Sequence, residues 1–186
     1  NRPGTDRLTA PSALALYPVR VYAFFAEGVY RYDARAHKLV RVLEGDRRKL
    51  TGMQDFVFAA PLNLVYLADR TVYEGRNIPA EHVRYLCGQD AAGYAENVNL
   101  YTAGHGLRSI TRGSVPEAEL LAALGLEPAR WFVALAQTVG KYLSDPGYIF
   151  FLGNTDPKKN TSGTLRAYAE YVRRSEKPLP LLVADL

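Results

Sequence analysis

One cysteine, one methionine and one tryptophan occur in the 186 residues. The lone Cys87 leaves no intrachain disulfide, so burial and hydrogen bonding must hold the fold. Apolar stretches are short. Leu62 to Ala68 and Trp131 to Ala136 fall far below the roughly 18 to 20 residues that a membrane helix needs. Like charges form no run of five or six either: arginines pair at 47–48 and 173–174 and lysines at 158–159, with Lys49 extending the first pair to three. The 23 basic and 19 acidic residues leave a formal charge of +4 and a pI near 9.2. That balance is compatible with a small anionic ligand, while a nucleic-acid binder would rest on pI alone. The chain opens at Asn1-Arg2-Pro3-Gly4 without an initiator methionine, basic n-region or h-region, in the manner of a processed or trimmed product. Cytoplasmic origin and export after processing both stay open.

Several chemistries lack their residues. His37, His82, His105 and Cys87 show no ligand spacing, which argues against a metal centre. Gly-x-Ser-x-Gly and Gly-x-x-x-x-Gly-Lys-Ser/Thr are absent, and Gly104-His105-Gly106 reads as a helix stop rather than a dinucleotide fingerprint. His105 is read as a helix-end residue facing the dipole. Asn160-Thr161-Ser162 matches a glycosylation acceptor, a pattern too short to carry weight.

Hydrophobic residues make up 48% of the chain, an ordinary globular share for about one domain. Val19 to Phe25, Val29 to Asp33 and Lys38 to Leu43 read as three antiparallel strands. A helix is expected over Arg47 to Gln54, capped by Asp46. Leu62 to Asp69 does not alternate, so it reads as a central strand buried on both faces. A helix follows over Gln89 to Gly106, with Ala92, Ala95, Val98 and Thr102 on one face and Tyr94, Asn97 and Tyr101 on another. Ser114-Val115-Pro116-Glu117 forms a capping box for a helix stopping at Gly125, and Trp131 to Val139 is a further strand. Residues 142–186 are turn-rich and read as a tail embracing the core, with one amphipathic helix bearing Leu165, Tyr168 and Val172. This order, a meander first and helices later, is α+β and not a doubly wound parallel sheet.

Three segments, taken in order, resemble the nitroreductase family of FMN-dependent oxidoreductases, in particular its branch related to azoline dehydrogenases of the SagB and ThcOx type. The first is Arg7-Leu8-Thr9-Ala10-Pro11-Ser12-Ala13 with the hairpin to Asp33; the second is Gln54-Asp55-Phe56 through Ala59-Ala60-Pro61-Leu62 to Tyr66. The third joins Glu96-Asn97-Val98-Asn99-Leu100-Tyr101, Gly106-Leu107, Thr111-Arg112-Gly113-Ser114 and Ala134 to Gly140. The resemblance implies an α+β fold with a mixed or antiparallel sheet flanked by helices. It also implies an intertwined homodimer with FMN at its interface, and hydride transfer through flavin N5, with NAD(P)H a candidate donor. Residues 1–141 would be the FMN-binding core and 142–186 an extension on that core or on the partner subunit.

On this resemblance Pro11, Ser12 and Ala13 match the loop lining the flavin. Asn97 belongs to the helix motif, and Thr111, Arg112 and Gly113 match a turn whose N–H groups reach the ring. Lys141 falls where the family places a phosphate contact, and Phe56, Tyr94 and Tyr101 would shape the substrate side. Read without the family, Pro11 and Gly113 are turn residues, Lys141 is a solvated lysine and the aromatics are core. The chain departs from the family in two places. Leu14, Ala15 and Leu16 stand where related loops carry an asparagine, and the opening arginine motif that grips the FMN phosphate is missing. Arg173-Arg174-Ser175, within 172–186, resembles that missing opening in permuted order, against the plainer reading of a surface helix ending in cations. A non-catalytic flavin-binding or partner-binding module is the alternative to an enzyme.

Overall fold

The computed structural model describes residues 8–141, 149–153, 161–175 and 181–185. The Arg7 start of the first segment, the turns around Asp145-Pro146-Gly147 and Asp156-Pro157, Lys158–Lys159, Asn160, and residues 176–180 and 186 of the permuted stretch lie outside these. The chain divides into two compact units, Asn1–Lys141 and Tyr142–Leu186.

In the first unit the strands are β1 (Val19–Phe24), β2 (Gly28–Asp33), β3 (Lys38–Glu44), β4 (Leu62–Asp69), β5 (Arg108–Arg112) and β6 (Trp131–Gly140). They form one sheet in the order β3-β2-β1-β4-β6-β5, every neighbouring pair antiparallel. The helices are α1 (Asp55–Ala59), α2 (Ala80–Gly104) and α3 (Glu117–Ala123). The α+β expectation therefore holds.

Strand β4 sits inside the sheet, paired with β1 through Tyr22↔Val65 and with β6 through Val65↔Ala136. Its side chains alternate between two apolar layers. Leu64, Tyr66 and Ala68 pack with Val83, Cys87, Ala91 and Ala95 of α2, whereas Val65 and Leu67 pack with Leu120 and Leu121 of α3. Helices cover both faces, which is why apolar residues do not alternate with polar ones from Leu64 to Ala68. Each buried leucine or valine here contributes on the order of 1.5–3 kcal/mol.

Three local expectations change. The helix expected over Arg47 to Gln54 is a 3-10 turn, Arg48–Thr51, followed separately by α1. Asp46 still accepts the Arg48 backbone N–H, at 3.0 Å. The run breaks at Gly52, whose backbone is extended, and a Cβ there would lie 2.4 Å from Arg112 Nη1 and 3.1 Å from Val57 Cγ2. Helix α2 begins nine residues before the expected Gln89, directly after Pro79, whose fixed φ of −59° suits a helix entry. Ser114 makes no cap: Pro116 precedes α3, and the Glu117 carboxylate instead accepts the Val133 N–H at 2.8 Å, fastening α3 to β6.

In the second unit the expected amphipathic helix is present, and two strands that were not expected accompany it. β7 (Ile149–Gly153) and β8 (Leu181–Asp185) pair in parallel, with α4 (Thr161–Arg174) between them in sequence. That is a strand–helix–strand unit.

One loop before β1 is strained. Leu14, Ala15 and Tyr17 hold φ of 53°, 54° and 49°, a left-handed region that residues with a Cβ avoid. Replacing Leu14 by glycine is expected to raise the unfolding free energy by about 0.5–1 kcal/mol: roughly 1–2 kcal/mol of strain relieved, less the freedom glycine gains in the unfolded chain. Urea denaturation of Leu14→Gly beside the parent chain measures this, and an unshifted midpoint would contradict the strain.

Candidate functional site

The loop holding Pro11, Ser12 and Ala13 is drawn onto α2 by one carboxylate. Asp90 lies on the buried face of α2 between Cys87 and Ala91 and is 4% exposed. Its Oδ2 accepts the Ser12 hydroxyl at 2.5 Å and its Oδ1 accepts the Ala13 N–H at 2.9 Å. The same Ser12 oxygen accepts the Tyr17 N–H at 2.8 Å, so the hydroxyl is engaged as donor and acceptor at once. Pro11 approaches Gly93, one turn along α2. The sequence reading named Ser12 but missed Asp90. The signal was present: an acidic residue at helical spacing from Cys87, Ala91 and Ala95 faces the core and so needs partners.

Tyr94 lies beside this loop, four residues beyond Asp90. It is half-buried, its ring 6.5 Å from that of Tyr66, and its hydroxyl is buried without a hydrogen-bond partner. Burial, reinforced by the nearby Asp90, pushes that hydroxyl up to about 12, so it stays a neutral donor at physiological pH. Asn97 and Tyr101 follow on α2 and are exposed. Tyr101 stacks on His105 at 3.9 Å between ring centroids, and His105 Nδ1 lies 2.7 Å from the Tyr101 carbonyl, consistent with a helix-end role for that histidine.

Arg112 behaves differently from its expectation. Thr111 and Arg112 close strand β5 rather than forming a turn, and Arg112 is 6% exposed. Its Nε donates to Thr138 Oγ1 at 2.9 Å and its Nη1 to the Thr51 carbonyl at 2.7 Å, while Nη2 reaches Asn63 Oδ1 at 3.4 Å. Asn63 also accepts from the Thr138 hydroxyl and donates to the Val57 carbonyl. Burial pulls the guanidinium below its ordinary value, yet an arginine keeps its proton. This side chain turns into the core and is not available to a ligand. Gly113 is exposed, with nothing within 4 Å of where a Cβ would sit. Val57, next to the exposed Phe56, is a neighbour of the same Gly52 that abuts the guanidinium, which places α1 near the end of β5.

Lys141 is exposed, at the other end of the β5–β6 ladder, where Arg108 faces Gly140 and Arg112 faces Ala136. It lies five residues beyond Ala136, roughly 17 Å at the rise of a β-strand. In the second unit, Arg173 and Arg174 end α4 and both pair with Glu170, Arg174 at 2.5 Å. Ser175 continues that turn, donating its N–H to the Tyr171 carbonyl. These contacts agree with the surface-helix reading of the arginine pair. Among the described residues no group of histidine, cysteine and acidic side chains could hold a metal ion, and no helix is long and apolar enough to cross a membrane. Cys87 is buried, and burial pushes its thiol up to about 11, far from an activated nucleophile.

The profile of the Nitroreductase family matches residues 6–141. A Methanocaldococcus jannaschii protein named as a nitroreductase is 31% identical over 126 residues, covering 60% of this chain and 61% of the relative. Among solved structures, a nitroreductase so named from Ralstonia eutropha superposes with a TM-score of 0.66 at 34% identity, over 73% of this chain and 63% of the other. The E. coli microcin synthetase McbBCD complex, solved with truncated pro-MccB17 bound, matches at TM-score 0.65 and 18% identity, over 76% of this chain and 58% of that one. A Desulfovibrio desulfuricans protein named as a nitroreductase, solved in complex with FMN, matches at TM-score 0.50 and 23% identity, over 71% and 66%. At such identities the last two likenesses concern the fold. The chain thus spans under two thirds of the length of its first relatives.

Arg112→Ala is expected to lower the unfolding free energy by about 3 kcal/mol or more, because it leaves a cavity and strands buried acceptors, whereas Lys141→Ala should stay within about 0.5 kcal/mol of the parent. Equal effects in a denaturation series would refute the assignment of Arg112 to the core. Tyr94→Phe removes an unsatisfied hydroxyl, so its stability should match the parent or exceed it by up to about 1 kcal/mol. A clear loss by calorimetry would mean the hydroxyl has a partner.

Proposed function

This chain belongs to the nitroreductase family, and from that premise we propose that it is an FMN-dependent oxidoreductase acting as a homodimer, with NAD(P)H as electron source. When bound, FMN would supply the redox chemistry, passing a hydride through N5 to or from a small organic substrate. The three segments quoted above, taken in order, support the azoline-dehydrogenase branch within the family.

The observation that carries this reading is the buried Tyr94 hydroxyl, without a partner beside the Pro11–Ala13 loop. An unpaired buried hydroxyl costs about 1–3 kcal/mol, a cost that a polar ligand atom removes. A flavin offers such atoms along one edge of a flat apolar ring. The residues fit that chemistry in part: Pro11, Ser12 and Ala13 would border the ring, Tyr94 would donate a hydrogen bond, and Gly113 leaves the end of β5 open to close approach. Lys141 is an exposed charge suited to a phosphate. Arg112 is not part of the set, because its guanidinium is spent on the core. Phe56 and Tyr101, both exposed, are proposed to flank the substrate, and Asn97 the cofactor.

A second reading, a non-catalytic flavin-binding or partner-binding module, draws on the same facts. Arg112 and the Ser12 hydroxyl are engaged internally, and Arg173 and Arg174 already share Glu170. Both readings require flavin binding or its loss to be measured. The purified chain, titrated with FMN and followed by absorbance and fluorescence, is expected to bind one equivalent per chain and to bleach on addition of NADH or NADPH. FMN bound without bleaching by any donor would favour the module, and no binding would refute the flavin reading.

A further inference from the structure

We propose that Asp90 is a positioning residue for the ligand-bordering loop, acting through Ser12 and Ala13; this rests on the flavin reading above. The loop does not hold its shape by local preference. Three residues between Leu14 and Tyr17 adopt left-handed φ, and the Leu14 side chain is 62% exposed. Nothing in the sheet requires this path, since β1 starts only at Val19. Backbone strain of this kind persists where surrounding contacts impose it, and it gathers at ligand-facing segments. Here the imposing contacts converge on Asp90. Its two oxygens hold the Ser12 hydroxyl and the Ala13 N–H, and through Ser12 they reach the Tyr17 N–H on the far side of the strained turn. A buried carboxylate facing the core is costly to keep, and among the described residues no cation pairs with it. Placing it on α2, the helix that also carries Tyr94, ties the loop and that donor to one rigid element.

The test uses the full chain and four variants, Ser12→Ala, Asp90→Asn, Asp90→Ala and the Ser12→Ala/Asp90→Ala double. Asp90→Asn keeps the shape but only one acceptor, so it can accept from the Ser12 hydroxyl or from the Ala13 N–H and not from both, and it serves if Asp90→Ala folds poorly. Without FMN, amide hydrogen exchange at Ala13 and Tyr17 is expected to speed up at least tenfold in the Asp90 variants, while Val65 in β4 stays protected. With FMN, the dissociation constant should rise at least tenfold in Asp90→Ala and less in Asp90→Asn, and the Ser12 and Asp90 effects should be non-additive. Unchanged exchange at Ala13 and Tyr17, or flavin affinity within twofold of the parent, would overturn the positioning role while leaving the flavin reading intact. Failure of the unaltered chain to bind FMN would overturn both.

Discussion

A buried guanidinium sets the terms for the first unit. Arg112 ends an edge strand, yet its side chain turns inward and donates to β6, to the carbonyl of the 3-10 turn and, at longer range, to β4. Among the described residues no carboxylate neutralises it, so neutral acceptors must carry the stabilisation of a full charge. Such a group tolerates little displacement. It demands a glycine at position 52, an asparagine at 63 and a hydroxyl at 138, and it thereby couples α1 to the sheet. A second polar chain, from Tyr66 through Gln137 to the Ala95 carbonyl and Asn99, couples α2 to the opposite face of β6. The apolar layers supply most of the burial, and these two networks fix where the layers meet.

Much of the sheet could be read directly from the residues. Apolar character without alternation marked β4 as central because both of its faces meet helices, and the runs Val19 to Phe25 and Val29 to Asp33 marked the first hairpin. Where reading failed, the cause was a long-range contact. The segment after Asp46 has helical residues, but Gly52 answers to a guanidinium 60 positions away. Glu117 has the spacing of a capping box, yet β6 offers its carboxylate a better-placed N–H than its own helix start. The early start of α2 was signalled by Pro79, while the polar residues Glu81, His82 and Arg84 in its first turns hid the apolar period. Parallel pairing of β7 with β8 left no local mark, since parallel strands meet only across an intervening connection.

The candidate site was legible in composition but not in geometry. Ser12, Tyr94 and Gly113 were named from order along the chain, while the part each plays depends on partners distant in sequence. Ser12 and Asp90 are 78 residues apart, and no short motif encodes that meeting. Arg112 shows the converse, where a residue type suited to anions is absorbed by the core. A charge pattern gives the inventory of a site, and burial decides which members face a ligand.

The order of strands also bears on how the chain can vary. Strands β4 and β6 are neighbours in the sheet, and Asp69 at the end of one meets Arg130 beside the other across 61 positions of sequence. All of α2, β5 and α3 are looped out between them. The entropy of closing so long a loop grows only with the logarithm of its length, about 0.6 kcal/mol for each doubling. Once that closure is made, lengthening or shortening the connections inside it changes the balance by less than one well-placed hydrogen bond. The connections that join α2, β5 and α3, rather than those elements themselves, are therefore where this span can absorb insertions.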